Sequence, residues 1–266
     1  MNKKVFIQYD DSYLIDLWDD FKIEAKKYNI DLTITNKINI NEINKNDVVI
    51  SHDNRINNCQ AIISIGGVHF NRDKSLKILE ENNFDVVKWS INPYDIEDNV
   101  ILLKKSISYR AKEIYIINKK TTNPYLNYTH GDIYCEILEE DFNTYKIHVL
   151  YDTIIYEYYI ETPNILHGKF DITKCNKKYF EFPEIIKKKS TNLGIELFKK
   201  YNIGEFSIDF MKKNNRFIAI EINTGNTAIN RKLLDTTKSK YIYNYIKGIS
   251  NIVNMKKYND NKFIKL

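Results

Sequence analysis

The sequence predicts an α/β protein in which a small N-terminal lobe is followed by two lobes rich in strands. Short apolar runs alternate with a helical period up to about Gly66, which is typical of a small α/β lobe. From residue 85 to residue 160 strand-like runs follow one another, which indicates a sheet-rich region. A helix, a two-stranded hairpin and a second helix close the chain. These three observations divide the 266 residues into lobes of residues 1–70, 71–142 and 143–266.

The N-terminal lobe begins with a strand and a helix. Residues 5–9 form the expected strand, and Asp11 or Ser12 can cap a helix whose apolar positions recur with a helical period up to Ala25. Three short apolar runs come next, and each predicts one strand. They cover residues 31–35, 48–51 and 61–65.

The middle of the chain contains one helix and a series of strands. Lys74 opens the helix, which runs to Glu80 or Glu81, where Asn82 and Asn83 end it. Only a short polar turn separates the last two strands, which favours a hairpin. The strands are expected at residues 85–89, 100–104, 113–117, 132–138, 145–151 and 154–160.

The final part of the chain is predicted to be helix, hairpin and helix. Pro183 stands just before the helical period of residues 184–201 and Gly204 just after it, which is the usual placing of these residues at helix ends. The polar turn at residues 212–215 joins two apolar runs, which is typical of a hairpin. The two strands and the terminal helix are expected at residues 206–210, 217–222 and 233–249.

Composition excludes several classes of protein. With 43% hydrophobic and 28% charged residues the chain can bury a sizeable core, which rules out disordered, collagen-like and fibrous proteins. No apolar run approaches the roughly 18 to 20 residues that a membrane helix needs, and Met1 to Lys4 lead into a strand-like run rather than a signal-peptide core. The three isolated cysteines fit a reducing compartment. We therefore expect a cytoplasmic protein with no membrane partner.

The net charge of +5 is a weak indication of a nucleic-acid partner. The 40 basic residues include only five arginines, and the lysines are accompanied by many asparagines, isoleucines and tyrosines. These residue types have AT-rich codons, so genome composition explains the lysine excess. Tyr151, Tyr156, Tyr158 and Tyr159 could stack on bases, but strand propensity explains them equally well. A nucleic-acid-associated protein therefore ranks third among the hypotheses.

The most informative residues stand in the C-terminal hairpin. Asp209 and Glu221 can lie opposite each other on its two strands, and Asn223 points to the same face as Glu221. Two carboxylates and a carboxamide are hard oxygen ligands of the kind that Mg²⁺ binds together with phosphate oxygens. An unpaired carboxylate in an apolar strand is unfavourable, so a cation or a basic partner is expected. The alternative is a surface hairpin whose polar face happens to be acidic.

Two lysines precede this hairpin in the chain. Lys74 opens the first helix after the N-terminal lobe, and Lys104 ends an apolar strand. Either lysine alone is typical of a helix or strand end that is exposed to solvent. Their order is more informative, because a helix-start lysine, a strand-end lysine and an acidic strand end come before the carboxylate hairpin.

This order resembles the ATP-grasp family, in particular the branch of glutathione synthetase and the ribosomal protein glutamate ligases, over residues 66–228. Asp73-Lys74 is similar to the pre-helix Asp-Lys pair of the family, and Leu102-Leu103-Lys104 is similar to its strand lysine. The other similar stretches are residues 134–138 for the hinge strand at adenine, 144–149 for the following strand, 161–168 for the Arg-x-Asn-x-x-x-Gly stretch, and 204–209 with 221–223 for the metal strands.

The resemblance implies two lobes that clamp ATP between antiparallel sheets. It also implies an ATP- and Mg²⁺-dependent carboxylate–amine ligase that forms an acyl phosphate and then an amide bond. Its partners would be a small-molecule, peptide or protein carboxylate and an amine acceptor, and a homodimer is the commonest assembly. Mg²⁺ would bind Asp209, Glu221 and Asn223. The nucleotide would bind Lys74, Lys104, Glu136, Ile137, Leu138 and Glu139, with Glu136 or Glu139 at the ribose.

The chain departs from the family pattern where the transferring phosphate would lie. The stretch 106–109 holds no glycine, whereas a loop that covers phosphates needs exposed backbone N–H groups. Lys146 and Thr162 stand where arginines are usual, so the catalytic cations would be Lys146, His167 and Lys169. The second hypothesis is therefore a catalytically degenerate scaffold that binds ATP. ATP would protect such a protein against heat without release of ADP.

Overall fold

The computed structural model describes residues 3–8, 17–44, 47–51, 62–65, 70–106, 114–138, 141–161, 175–224 and 231–255. These residues form three sheets and four α-helices, which confirms the predicted α/β class. None of the described helices is long and apolar enough to cross a membrane.

The N-terminal sheet is parallel. Its elements are β1 (Lys3–Gln8), α1 (Trp18–Lys26), β2 (Ile30–Thr35), β3 (Val48–Ser51) and β4 (Ile62–Ile65). The strands lie in the order β2-β1-β3-β4. Helix α1 covers the sheet with Phe21 and Ala25, which are both buried. The predicted caps Asp11 and Ser12 lie outside the described residues.

The middle sheet is antiparallel and follows a helix. Its elements are α2 (Arg72–Glu81), β5 (Trp89–Ser90), β6 (Val100–Lys104), β7 (Ile114–Asn118) and β8 (Ile133–Cys135). The strands lie in the order β5-β8-β6-β7. Leu76 and Leu79 of α2 share a core with Leu102 of this sheet and with Ile208 of the C-terminal sheet. Helix α2 therefore connects the two sheets.

The C-terminal sheet is antiparallel and carries one helix on each face. Its elements are β9 (Asp141–Leu150), β10 (Thr153–Ile160), β11 (Lys177–Tyr179), α3 (Glu184–Tyr201), β12 (Glu205–Lys213), β13 (Arg216–Asn223) and α4 (Arg231–Asn254). The strands lie in the order β11-β10-β9-β12-β13. A Cβ at Gly194 of α3 would lie 3.1 Å from the side chain of Val149, whereas a Cβ at Gly248 of α4 would lie 3.0 Å from that of Leu150, the next residue of the same strand. Since successive residues of a strand point to opposite faces, the two helices lie on opposite faces of the sheet.

In the hairpin of β12 and β13 Asp209 lies opposite Glu221, as predicted, because a β-bulge between Asp209 and Phe210 shifts the register by one residue. Asp209 pairs with Glu221, and Ser207 pairs with Asn223. The turn contains Asn214 and Asn215 with φ values of 51° and 58°. Two successive residues with positive φ are typical of a type I′ turn, whose twist matches that of the flanking strands.

Helix α2 and the segment after it are hydrogen-bonded to the edge strand β13. The backbone N–H of Ile222 donates to Ser75 Oγ at 2.6 Å, and this bond is buried. Ala219 donates to the carbonyl of Asp85 at 2.7 Å and accepts from the N–H of Val87 at 3.1 Å. These bonds fix the start of α2 beside the carboxylate end of the hairpin.

Candidate functional site

Three charged side chains form a row across three neighbouring strands of the C-terminal sheet. Asp209 of β12 is paired in register with Lys146 of β9 on one side and with Glu221 of β13 on the other. Lys146 Nζ donates to Asp209 Oδ2 at 2.6 Å, and both side chains are largely buried. The register of the sheet therefore puts Lys146 at one end of the row, next to two carboxylates that are neighbours of each other.

A second polar row lies beside the first on the same face. His148, Ser207 and Asn223 each stand two residues from a member of the first row, and they are paired across β9, β12 and β13. Because side chains alternate along a strand, both rows point to one face. The Ser207 hydroxyl is buried and has no hydrogen-bond partner among the described residues.

Two further cations reach this face from the middle of the chain. Arg72, the first residue of α2, forms an ion pair with Glu221 Oε2 through its guanidinium. Its Nε donates to the carbonyl of Lys105 at 2.9 Å, so the residue that follows β6 is hydrogen-bonded to the same guanidinium. Lys104, the last residue of β6, is buried, and its charge acts on Glu221. The carboxylate end of the hairpin thus faces one cation from helix α2 and one from the middle sheet.

The two carboxylates are perturbed in opposite directions. Burial disfavours the charge of Glu221, but Arg72, Lys146 and Lys104 outweigh this effect and lower its pKa to about 2. Burial raises the pKa of Asp209, and the neighbouring Glu221 carboxylate adds to this although Lys146 opposes it. A divalent cation at Asp209 would remove this penalty, because it favours the ionised carboxylate.

The cations on the sheet also influence each other. Burial disfavours the charge of Lys146, but the Asp209 carboxylate outweighs it, so the pKa of Lys146 lies above its ordinary value. Burial lowers the pKa of His148 to about 3, and the charges of Lys146 and Lys177 add to this shift. His148 is therefore a neutral imidazole at physiological pH.

The donor set fits a magnesium ion that is shared with phosphate oxygens. No three His, Cys, Asp or Glu side chains within the described ranges lie close enough together to hold a metal by themselves. Asp209, Glu221 and Asn223 supply oxygen ligands on one face. Oδ1 of Asp209 is buried and accepts no hydrogen bond from any described residue. Mg²⁺ commonly combines one or two carboxylates with waters and substrate phosphates, so such a partial site suits it.

A buried aspartate fixes the base of the loop that follows β6. Asp132 accepts from Lys105 Nζ at 2.7 Å, from the Ser106 N–H at 2.8 Å and from the N–H and hydroxyl of Thr129 at 2.8 and 2.9 Å. Burial opposes the charge of Asp132, but these donors outweigh it and lower its pKa. Gly131 has a φ of 89°, and a Cβ there would lie 2.9 Å from Ser106 Oγ. The loop base therefore requires glycine at this position.

The predicted nucleotide-binding residues differ in their surroundings. The Lys74 ammonium lies 5.1 Å from the ring centre of Phe70 and 4.9 Å from that of Tyr201. Glu136 accepts from the backbone N–H of Lys88 at 2.9 Å and pairs with Lys213, so both of its carboxylate oxygens have protein partners. The role of these two residues at a nucleotide stays a prediction.

The predicted hinge and the remaining predicted cations are only partly described. Strand β8 ends at Cys135, earlier than the predicted residue 138, and Ile137 and Leu138 follow it without regular structure. Leu138 is buried in the core that α2 shares with both sheets. Glu139, His167 and Lys169 lie outside the described residues.

Arg72 is a charged residue of this site that the sequence did not identify. The predicted helix-start cation is Lys74, two residues further along, yet the guanidinium of Arg72 is the one that contacts Glu221. One signal was available, since Arg72 is one of only five arginines in a chain with 40 basic residues. Arginine is the usual choice for buried pairs with carboxylates.

No family model matches the sequence, and no curated protein matches it at the level of sequence. Solved structures of ATP-grasp ligases, in contrast, are similar in fold. The ATP-grasp ligase PsnB complexed with a minimal precursor has a TM-score of 0.60 at 9% identity, over 95% of this chain and 100% of that chain. The D-cycloserine synthetase DcsG has a TM-score of 0.62 at 7% identity, over 94% of this chain and 99% of that chain.

A third similar structure is the macrocyclase MdnC from Microcystis aeruginosa MRC bound with the precursor peptide MdnA. It has a TM-score of 0.58 at 13% identity, over 94% of this chain and 99% of that chain. These likenesses span almost the whole chain, so the protein has the ATP-grasp fold. The predicted resemblance to the ATP-grasp superfamily is confirmed at the level of fold.

Proposed function

We propose that this protein is an ATP- and Mg²⁺-dependent carboxylate–amine ligase. The row of Lys146, Asp209 and Glu221 carries the proposal, because Arg72 of α2 and Lys104 of β6 act on its Glu221 end. Cations and carboxylates that come together from α2, β6 and the C-terminal sheet suit a metal-bound triphosphate. Structures with this fold include a D-alanine–D-alanine ligase from Bacillus anthracis complexed with ATP, and that likeness supports the nucleotide.

Each residue of the proposed site would have its own role in phosphoryl transfer. Mg²⁺, held by Asp209, Glu221 and Asn223, would neutralise phosphate charge. Lys104 and Lys146 would place further positive charge beside the transferring group, where it stabilises the charge that develops in the transition state. The substrate carboxylate oxygen attacks the γ-phosphorus and ADP leaves, and the amine then attacks the acyl carbon and releases phosphate. No protein nucleophile is needed for either step.

The carboxylate substrate that we propose is a side chain or terminus of a peptide. MdnC is bound with a precursor peptide, and the RiPP-associated ATP-grasp ligase of Chryseobacterium gregarium is in complex with a leader and core peptide. These likenesses favour a peptide over a free amino acid. The amine acceptor is either a second side chain of the same peptide or a small amine. Products of different mass distinguish the two acceptors.

The test is release of ADP by the full chain with Mg²⁺ and pools of amino acids and peptides, followed by mass spectrometry of the product. Lys104→Met and Glu221→Gln are each expected to lower ADP release by about 100-fold or more, because each removes a charge that acts on the metal–phosphate cleft. Lys88→Met and Glu97→Gln are matched controls. Lys88 and Glu97 form a solvent-exposed pair in the middle lobe, and both variants are expected to keep wild-type turnover.

Unfolding midpoints in urea show whether each variant stays folded. Unchanged ADP release in both Lys104→Met and Glu221→Gln would refute the proposed site. Protection by ATP against heat without ADP release in any pool would favour the scaffold hypothesis instead.

A further inference from the structure

Lys177 is a cation on the same face of the C-terminal sheet as the charged row, at the opposite edge from Glu221. It is the first residue of β11 and pairs with Ile160 of β10, while Tyr179 pairs with Tyr158. Tyr158 in turn pairs with Lys146. Alternation along the strands therefore puts Lys177 on the face of Tyr158 and Lys146. Its ammonium lies 5.7 Å from the centre of the Tyr158 ring.

Within the described parts of the chain, Lys177 has no carboxylate partner. The lysines near it do have one. Lys178 pairs with Glu161, and Lys146 pairs with Asp209. Lys177 is half-buried, and burial together with the charge of Lys146 lowers its pKa. A half-buried cation beside a second cation is unfavourable unless an anion joins them.

The charges along this face are unevenly distributed. At the β13 edge, Arg72 and Lys104 act on Glu221, and in the middle Lys146 is bound to Asp209. At the β11 edge Lys177 adds a charge that no described carboxylate balances. The β13 edge of this face therefore combines cations with a carboxylate, whereas the described residues of the β11 edge offer a cation that an anion could join.

We propose that Lys177, together with Lys146, forms a subsite for a small oxyanion beside the Tyr158 ring. This inference rests on the proposed function, in which the oxyanion is either the carboxylate of the acyl substrate or the phosphoryl group that it receives. Both have oxygens that accept charge-assisted hydrogen bonds from an ammonium group. Lys177 thus supplies one of the charges for which the family pattern uses arginines.

The test measures binding of inorganic phosphate and of acetate to the full chain by isothermal titration, with and without Mg²⁺ and ADP. In Lys177→Met the dissociation constant of the bound oxyanion is expected to rise about tenfold, as for loss of one charged hydrogen bond. Lys177→Arg is expected to restore binding to within about threefold, and Lys178→Met, the adjacent surface lysine, is expected to match the wild type. The dissociation constant of Mg²⁺ and ADP is expected to stay unchanged in all three variants.

A purely structural role of Lys177 makes a different prediction. Because Lys177 has no described carboxylate partner, Lys177→Met is expected to keep or raise the urea midpoint while anion affinity falls. A lower midpoint together with unchanged anion affinity would overturn the inference. So would failure of the wild type to bind either anion, or equal affinities in Lys177→Met and Lys178→Met.

The titrations with and without nucleotide distinguish a phosphoryl group from a carboxylate as the bound anion. They also distinguish failure of the Lys177 subsite from failure of the proposed ligase function. Phosphate binding that appears only with Mg²⁺ and ADP supports the phosphoryl group, whereas acetate binding without nucleotide supports the carboxylate. If the wild type does not bind Mg²⁺ and ADP, the proposed ligase function fails, and the titrations without nucleotide still decide the role of Lys177.

Discussion

His148 makes the stability of this protein depend on pH in a way that can be measured. The imidazole is fully buried, and burial, with Lys146 and Lys177 adding to it, lowers its pKa from 6.5 to about 3. In the unfolded chain the same imidazole takes up a proton near its ordinary pKa. Between these two values the unfolded state binds one proton more than the folded state, so the free energy of unfolding falls as the pH falls.

The expected magnitude follows from this proton difference. Each pH unit below the ordinary pKa reduces the free energy of unfolding by about 1.4 kcal/mol. From pH 8 to pH 5 the loss due to His148 is therefore about 2 kcal/mol. His148→Gln has no titrating group at this position, so the variant is expected to lack this part of the decrease.

The assay is urea unfolding of wild type and His148→Gln at pH 8 and at pH 5, in buffer without nucleotide or magnesium. The difference between the two pH values is compared between the proteins, so that any constant effect of the substitution cancels. His130→Gln is the matched control, because His130 lies exposed on the middle lobe and its variant is expected to lose as much stability as the wild type. Equal losses in wild type and His148→Gln would refute the reasoning.

Three further substitutions test the site and its supports. Arg72→Met removes the ion pair with Glu221 and raises the pKa of that carboxyl, so ADP release under the proposed function is expected to fall about tenfold or more. Gly194→Ala places a Cβ 1.8 Å from the carbonyl oxygen of Tyr151, and the free energy of unfolding in urea is expected to fall by about 2 kcal/mol or more. Asp132→Asn removes a buried charge that accepts from an ammonium and two backbone N–H groups, and a loss of about 3 kcal/mol is expected in the same measurement.

Each of these substitutions has a matched control in the chain. Arg216 pairs with Asp85 on the exposed surface, so Arg216→Met is expected to leave ADP release unchanged. Ser190 lies in the same helix as Gly194 and buries a hydroxyl without a described partner, so Ser190→Ala is expected to keep or raise stability. Asp95 is exposed, and Asp95→Asn is expected to change stability by less than about 0.5 kcal/mol. A control that falls as far as its test variant would contradict the corresponding prediction.

Local patterns in the sequence determined the C-terminal hairpin and its polar face. Alternation of apolar and polar residues defined the two strands and the face that Glu221 and Asn223 share. The two-residue turn alone would pair Asp209 with Ile220, and a β-bulge between Asp209 and Phe210 moves the pairing to Glu221. Helix α3 begins directly after Pro183 and ends shortly before Gly204, as these two residues indicate. Such features depend on residues that are close in the chain.

Tertiary structure decided which cations meet the hairpin. The contact of Arg72 with Glu221 joins residues 149 positions apart, and it depends on the rotation of α2, which the Ser75 bond to Ile222 and the buried Leu76 fix. Three-residue strand β11 brings Lys177 into the sheet only through its pairing with β10, and a segment so short carries no alternation that the sequence could show.

The sequence by itself therefore determined the fold class, the order of most elements and the acidic residues of the candidate site, because turn chemistry and side-chain alternation act over a few residues. Lys104 and Lys146 were also predicted from the sequence, but tertiary packing decided that Arg72 contacts Glu221 and that Lys177 joins the same face of the sheet. A lysine or arginine at a helix start or strand end is compatible with solvent as well as with a site. Only the packing of α2 and β6 against the C-terminal sheet, and the pairing of β11 within that sheet, distinguish the two.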